Sequence, residues 1–323
     1  MEVGMTGNSA NLRENLADLI IFYLNNPRIL DRYRDYIIDY MNQAFAIVHV
    51  PVEQFDTRTL QTFGYVTIPI LFGITSEISL NVSEVYRVRS LPVLNLRGEG
   101  TLIGIIDTGI DYTNPVFIKS DGTTKIAAIW DQTIPSDSPP FNMPFGSEYS
   151  KEQINQALSL TNPRELVPST DDVGHGTMMA AVAAGNRDEN AGFEGVAPDA
   201  ELVIVKLRQA KQYLKDYYFV PDNVLCFQEN HIMWGVEYCV QKARSLNKPI
   251  VICMGVGTSQ GPHDGSNSLS RMLDVVSDTP GIITVVPAGN EGNMRRHFFD
   301  TIDPAIGSSV IELNVSELDK GFT

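Results

Sequence analysis

The feature that most constrains the fold of this chain is a series of short apolar runs that alternate with helical patterns. The runs have the length of buried strands, and the segments between them carry apolar residues at helical spacing. This alternation is typical of a parallel sheet with helices on both faces, so the sequence predicts an α/β fold. The predicted strands are residues 102–106, 126–130, 202–207, 250–254 and 282–286, and the predicted helices are residues 177–184, 231–246 and 269–277.

Two separated segments supply an acid and a base. In GTLIGIIDTGIDYTNPVF, an apolar strand delivers Asp107 to its carboxyl end, where a Thr-Gly pair ends the strand. Open α/β sheets place their chemistry at such strand ends. In DDVGHGTMMAAVAAG, His175 lies between Gly174 and Gly176 at the start of a small-residue helix, so a substrate can approach the imidazole closely. The two segments therefore predict a catalytic acid and base.

A third segment, GIITVVPAGNEGN, ends another predicted strand in an amide side chain, Asn290. The three segments resemble the Asp, His and oxyanion boxes of the subtilisin-like serine proteases (subtilases), which occur in this order. The resemblance implies that Asp107 orients His175, that His175 is the general base, and that Asn290 stabilises the oxyanion. It also implies substrate-binding positions, both along an edge that pairs with an extended peptide and beside the scissile bond: Gly255, Val256, Gly257, Ala288 and Gly289.

The nucleophile of that mechanism is absent from the sequence. Subtilases carry it in a box of the form G-T-S-x-A-x-P, and no segment after Asn290 has this form. Ser259 follows Gly-Thr but lies upstream of Asn290, while Ser308 and Ser309 lack the helix start of the box, so none of them is the predicted nucleophile. The other polar candidates are interpreted as loop or capping residues: Asp111, Asp171, Asp172 and His263.

Within the subtilases, the long loop after Trp130, the GTSQGPHDG stretch and the lack of a signal peptide resemble the clostridial spore-germination (Csp) proteases. Those proteases activate a spore cortex-lytic pro-enzyme and carry a jelly-roll β-domain between the oxyanion asparagine and the serine. Because SVIELNVS alternates like a strand, residues 305–323 are predicted to begin such a domain, with the serine box beyond Thr323. The chain alone would then be inactive.

A pseudoprotease that acts as a binding or regulatory protein is the alternative function. Some members of the germination group have lost triad residues and act by binding. Retention of both Asp107 and His175 argues against this alternative, because a pure binding protein has no need of that pair.

Residues 1–75 are predicted to form a separate small α/β unit. Helical patterns over residues 11–24 and 28–40 precede predicted strands over residues 44–50 and 65–74. Subtilases are made with an N-terminal propeptide of this mixed kind, which assists folding and then inhibits the active site. The resemblance therefore implies that the chain binds its own propeptide, with cleavage near residues 73–77 and an incomplete catalytic domain over residues 76–304.

The charge balance narrows the class of partner. The formal net charge is −15 and the sequence contains no run of lysines or arginines. Nucleic acids and anionic membranes are therefore not predicted partners. The resemblance to the subtilases implies a peptide or protein substrate instead. No stretch reaches the about 18 apolar residues of a membrane span, and the N-terminus lacks a signal-peptide pattern. These features predict cytoplasmic synthesis, and the Csp resemblance implies later deposition in the spore.

Cysteine usage gives no support for a metal site. The three cysteines, Cys226, Cys239 and Cys253, lack CxxC spacing, and no HExxH motif occurs. Their apolar surroundings favour buried thiols. No metal and no cofactor is predicted. Structural calcium is common among subtilases, but no loop here has a clear ligand spacing.

Overall fold

The N-terminal part of the chain folds around a three-stranded antiparallel sheet. The computed structural model describes residues 9–55, 59–74, 96–188, 192–289 and 298–312. The sheet consists of β1 (Leu16–Phe22), β2 (Ile37–Tyr40) and β3 (Phe45–Pro51), with β3 in the centre. A short helix, α1 (Thr59–Phe63), and a further strand, β4 (Leu71–Ile74), follow. We call the described residues from 9 to 74 the N-terminal unit.

The prediction of helices over residues 11–24 and 28–40 is wrong, because these segments contain β1 and β2. Residues 17–21 of β1 are all buried, since both faces of this strand are covered. A strand covered on both faces lacks the period-two alternation of a half-buried strand, so a sequence pattern does not separate it from a helix. The strand predicted over residues 44–50 is confirmed by β3, whereas only the last four residues of the predicted strand 65–74 form β4.

A six-stranded sheet forms the centre of the rest of the described chain, in the order β12-β10-β5-β8-β6-β7. Adjacent strands of this sheet are parallel to each other, except that β7 is antiparallel to β6. The α/β fold is thus confirmed, as are the predicted strands. The strands after the N-terminal unit are β5 (Leu102–Asp107), β6 (Ile126–Asp131), β7 (Ser147–Ser150), β8 (Glu201–Lys206), β9 (Phe227–Gln228), β10 (Ile250–Met254), β11 (Val256–Gly257) and β12 (Ile282–Val285).

Five helices accompany this sheet in the described residues: α2 (Lys151–Leu158), α3 (His175–Ala184), α4 (Gln212–Tyr217), α5 (Glu229–Leu246) and α6 (Ser268–Ser277). The three predicted helices are confirmed and begin one or two residues earlier than predicted. The long loop predicted after Trp130 is interrupted, because residues 147–158 form β7 and α2. A capping box between Ser150 and Gln153 starts α2, and this pattern is visible in the sequence.

The two faces of the sheet are covered by different helices. Ile103 and Ile105 of β5 belong to the apolar cluster that contains residues of α2 and α3. Leu102 and Ile106 belong to the cluster that contains α5 and the N-terminal unit. This alternation follows from the period of two in a strand. The N-terminal unit therefore shares a core with the α5 side of the sheet.

Candidate active site

The end of β5 and the start of α3 bring a carboxylate and an imidazole together. Asp107 is the last residue of β5 and His175 is the first residue of α3. The Nδ1 atom of His175 lies 2.8 Å from Oδ1 and 2.9 Å from Oδ2 of Asp107. Asp107 is fully buried and the His175 side chain is 8% exposed. Two predicted site residues, 68 positions apart in the sequence, are therefore in direct contact.

This contact determines which imidazole nitrogen carries a proton. An ionised carboxylate only accepts hydrogen bonds, so Nδ1 of His175 must donate to Asp107. In the neutral imidazole, Nε2 is then the basic nitrogen. The backbone N–H of Thr108 also donates to Oδ1 of Asp107, at 2.6 Å, which orients the carboxylate. The pair is arranged for proton transfer at Nε2.

Two glycines, which have no Cβ atom, make room for the contact between Asp107 and His175. A Cβ atom on Gly255 would overlap Oδ2 of Asp107, and one on Gly176 would overlap the carbonyl oxygen of Gly109. Any larger residue at either position would push the carboxylate or the helix start away. Gly255 was predicted as part of the substrate edge, and the structure places its Cα directly against the Asp107–His175 pair.

A short strand lies beside the pair, along the predicted substrate edge. In β11, Val256 pairs with Ile74 and Gly257 pairs with Gly73, so β4 runs antiparallel to this edge. On its other side β4 is antiparallel to β9. A segment of the N-terminal unit is thus the middle strand of the sheet β11-β4-β9. This is the mode in which an extended peptide adds a strand through backbone hydrogen bonds.

Two polar side chains that were not predicted as site residues bind the backbone just before and within β4. Leu71 N–H donates to Oε1 of Gln260 at 3.0 Å, and Ile70 N–H donates to Oε2 of Glu229 at 3.3 Å. Burial raises the pKa of Glu229 to about 7, and the N–H groups of Leu269 and Ile70 only partly oppose this shift. No sequence motif marks these residues, because their partners lie far away in the chain.

The other predicted positions lie near the same sheet edge or in exposed loops. Ala288 and Gly289 follow β12, whose carboxyl end lies at the same edge of the sheet as that of β5, and both are exposed. Asn290 lies outside the described residues. Ser259 and His263 lie in a loop after β11, where His263 Nε2 lies 3.2 Å from the carbonyl oxygen of Ser259.

The described part of the chain offers neither a metal-binding cluster nor a membrane-spanning helix. It holds no group of three or more His, Cys, Asp or Glu side chains that could bind a metal ion. None of its helices has both the length and the apolar character that crossing a membrane requires.

The sheet, its helices and the site geometry define a subtilisin-like α/β fold. The chain belongs to the subtilase family, whose family profile matches residues 98–310. It is similar to the major intracellular serine protease of Bacillus subtilis, with 30% identity over 142 residues, which are 44% of this chain and 37% of that protein. It is also similar to the subtilisin-like protease SBT1.9 of Arabidopsis thaliana, with 34% identity over 135 residues, or 36% of this chain and 17% of that protein.

Among solved structures, the chain resembles the CspB protease of Clostridium perfringens. The sequence identity is 32% and the TM-score is 0.53, over 65% of this chain and 40% of that chain. The chain therefore spans less than half the length of each of these three relatives.

Proposed function

We propose that this chain carries the acid and base of a subtilisin-type serine endopeptidase. The observation that carries the proposal is the buried contact between His175 Nδ1 and the Asp107 carboxylate, beside an edge that already pairs with an extended strand. In this mechanism Nε2 of His175 takes the proton of a serine hydroxyl and returns it to the leaving amine. Asp107 stabilises the imidazolium that forms in between.

The remaining groups of the site act on the substrate. Val256 and Gly257 would pair with the substrate backbone, as they do with residues 73 and 74. Ala288 and Gly289 would line the pocket beside the scissile bond, and the amide of Asn290 would donate to the oxyanion. Backbone pairing tolerates many sequences, so side-chain pockets would set the specificity.

We propose further that residues 1–75 are a propeptide that inhibits the site and that residues 76–304 belong to the catalytic domain. The position of β4 along β11 supports this division, since its last residue, Ile74, lies within the proposed cleavage region at residues 73–77. The unit also shares a core with the sheet, as a folding aid would. Intact mass of the active product tests the proposal: a single uncleaved chain would contradict it.

The serine itself is proposed to come from sequence outside these 323 residues, which contain no G-T-S-x-A-x-P box. Residues 305–323 would begin a jelly-roll insertion that precedes the box. The similarity to the CspB protease supports a substrate of the same kind as that of the germination group, a spore cortex-lytic pro-enzyme, and deposition in the spore.

The test begins with the coding sequence downstream of Thr323. A G-T-S-x-A-x-P box is expected there; a stop codon or a box without its serine would favour a binding protein on a protease scaffold. In the product that carries the box, His175→Ala should abolish cleavage of peptides and of the pro-enzyme, because no base is left. His263→Ala, in the exposed loop after β11, is the matched control and should retain turnover. Unchanged turnover in His175→Ala would remove His175 from the mechanism.

A further inference from the structure

Asp171 lies four residues before His175 and accepts hydrogen bonds on both carboxylate oxygens. Oδ1 accepts from Gly174 N–H at 2.9 Å and from the Thr108 hydroxyl at 2.8 Å. Oδ2 accepts from the N–H of Thr177 at 2.8 Å and from its hydroxyl at 2.7 Å. The carboxylate thus contacts the helix that carries His175 and also the residue that follows Asp107.

The two threonine hydroxyls form a reciprocal connection between these segments. Thr108, after β5, accepts from the N–H of Gly176 in α3 at 2.9 Å. Thr177, in α3, accepts from the N–H of Asp111 in the segment after β5 at 2.8 Å. Each hydroxyl has a single hydrogen, and Asp171 takes both of them. The carboxylate therefore turns the lone pairs of both hydroxyls toward the opposite backbone.

We propose that Asp171 is a positioning residue for the Asp107–His175 pair. Its carboxylate fixes the distance between the end of β5 and the start of α3, and thereby the contact between His175 Nδ1 and the Asp107 carboxylate. Its importance for catalysis rests on the proposed function, but its effect on the pair does not.

The hydrogen-bond set separates this role from simple helix capping. Capping requires only the bonds to Gly174 and Thr177, which are three and six residues away. The bond to Thr108 spans 63 residues and joins the carboxylate to the residue after Asp107, which a helix cap does not need. Burial raises the pKa of Asp171, but the hydrogen bonds from Thr177, Thr108 and Gly174 outweigh burial and hold the pKa below its ordinary value of 3.8. The carboxylate is therefore ionised near neutral pH, as a fourfold acceptor must be.

Two substitutions divide the two roles. Asp171→Asn retains one acceptor oxygen, while its amide N–H₂ faces donors on the other side, so one threonine hydroxyl loses its partner whichever way the amide is turned. Thr108→Val removes the hydroxyl that donates to Asp171 and accepts from the Gly176 N–H, and it leaves the bonds of the carboxylate to Gly174 and Thr177 intact. Asp172→Asn is the matched control, because Asp172 is exposed and, among the described residues, accepts only from the Thr170 hydroxyl, at 3.2 Å.

The measurement is the Nδ1–H resonance of His175 in the chain with ¹⁵N-labelled histidine, assigned with a His175→Gln variant; the chain has only five histidines to distinguish. In the wild type and in Asp172→Asn this proton should exchange slowly with water. Exchange should be faster by on the order of tenfold in both Asp171→Asn and Thr108→Val, because each variant loses at least one of the hydrogen bonds that join the start of α3 to the residue after Asp107.

A capping role alone predicts a different result, namely that Thr108→Val keeps the slow exchange of the wild type while Asp171→Asn merely lowers the melting temperature. That result would overturn the proposal. Since the readout needs no turnover, it is independent of the proposed peptidase activity: a chain without activity that still shows the two accelerations would support Asp171 as a positioning residue and count against the proposed function only.

Discussion

Asp18 is the carboxylate that ties the N-terminal unit to the sheet, and its replacement is the strongest test of how the two are joined. It is fully buried in β1 and accepts from His49 within the unit at 2.8 Å. Across the interface it accepts from Lys211 at 2.8 Å, Gln228 at 2.7 Å and Asn230 at 3.1 Å. Burial raises the pKa of Asp18, but the charge of Lys211 and the hydrogen bond from His49 lower it well below the ordinary 3.8.

The perturbation is Asp18→Asn, which keeps the shape and removes the charge. Lys211 Nζ and His49 Nδ1 lie on Oδ1, whereas the Gln228 and Asn230 amides lie on Oδ2. Whichever way the new amide is turned, its N–H₂ group faces two donors, and Lys211 stays buried without its counter-ion. Removing one partner of a buried ion pair costs about 3–5 kcal/mol, so we expect the free energy of unfolding to fall by about that amount.

The assay is urea denaturation at about pH 6, where the Asp18 carboxylate is ionised, followed by the fluorescence of the buried residues Trp130 and Trp234. Glu14→Gln is the control, because the Glu14 carboxylate crosses the same interface to Arg208 at 3.1 Å but is 57% exposed. An exposed pair of this kind contributes less than about 1 kcal/mol. If Asp18→Asn and Glu14→Gln lower the free energy of unfolding equally, the buried cluster does not hold the unit in place and the reasoning fails.

Two further predictions concern His49 in the Asp18 cluster and Gly255 beside Asp107. Burial lowers the pKa of His49, but hydrogen bonds to Asp18 and Asp39 outweigh burial and raise the pKa above its ordinary 6.5. Protonated His49 therefore adds to the free energy of unfolding. This stabilisation is complete below about pH 6.5 and is lost at higher pH. The free energy of unfolding should therefore decline as the pH rises above about 6.5. A His49→Gln variant without this decline would support the assignment, whereas an unchanged decline would contradict it. Gly255→Ala should cost about 1–3 kcal/mol in thermal denaturation and displace the Asp107 carboxylate, since the new Cβ overlaps Oδ2. Gly73→Ala is its control, because a Cβ there meets no atom within 4 Å, and equal costs at both positions would refute the steric argument.

The sheet could be predicted from the sequence because its strands are short, apolar and bounded by clear breaks. The same kind of run misled the prediction in β1, where Asp18 interrupts the apolar pattern. A buried carboxylate is acceptable in a strand only with its partners, and Lys211 lies 193 residues further along the chain. A local pattern carries no information about such a partner. Likewise β4 begins only at Leu71, where its pairing with β9 begins, and β9 lies far away in the sequence.

The candidate site divides in the same way. Asp107 and His175 stand in segments with a recognisable form, so their proximity could be anticipated. Asp171 was interpreted as a loop or capping carboxylate, and the bonds to Gly174 and Thr177 agree with that interpretation. Its bond to Thr108 depends on the tertiary fold, and only the structure reveals it.

The strand β4 has a consequence for any peptide that approaches the groove between β9 and β11. Its position between β9 and β11 is taken by the chain itself, at an effective concentration that for tethered segments is on the order of millimolar and that dilution does not change. A free peptide can bind in this position only in those molecules in which β4 has detached from β9 and β11. The apparent Kd of the peptide is therefore its intrinsic Kd divided by the fraction of molecules in which β4 is detached. The thermodynamic stability of a few backbone pairs, rather than the supply of peptide, then sets how readily the groove is occupied from outside.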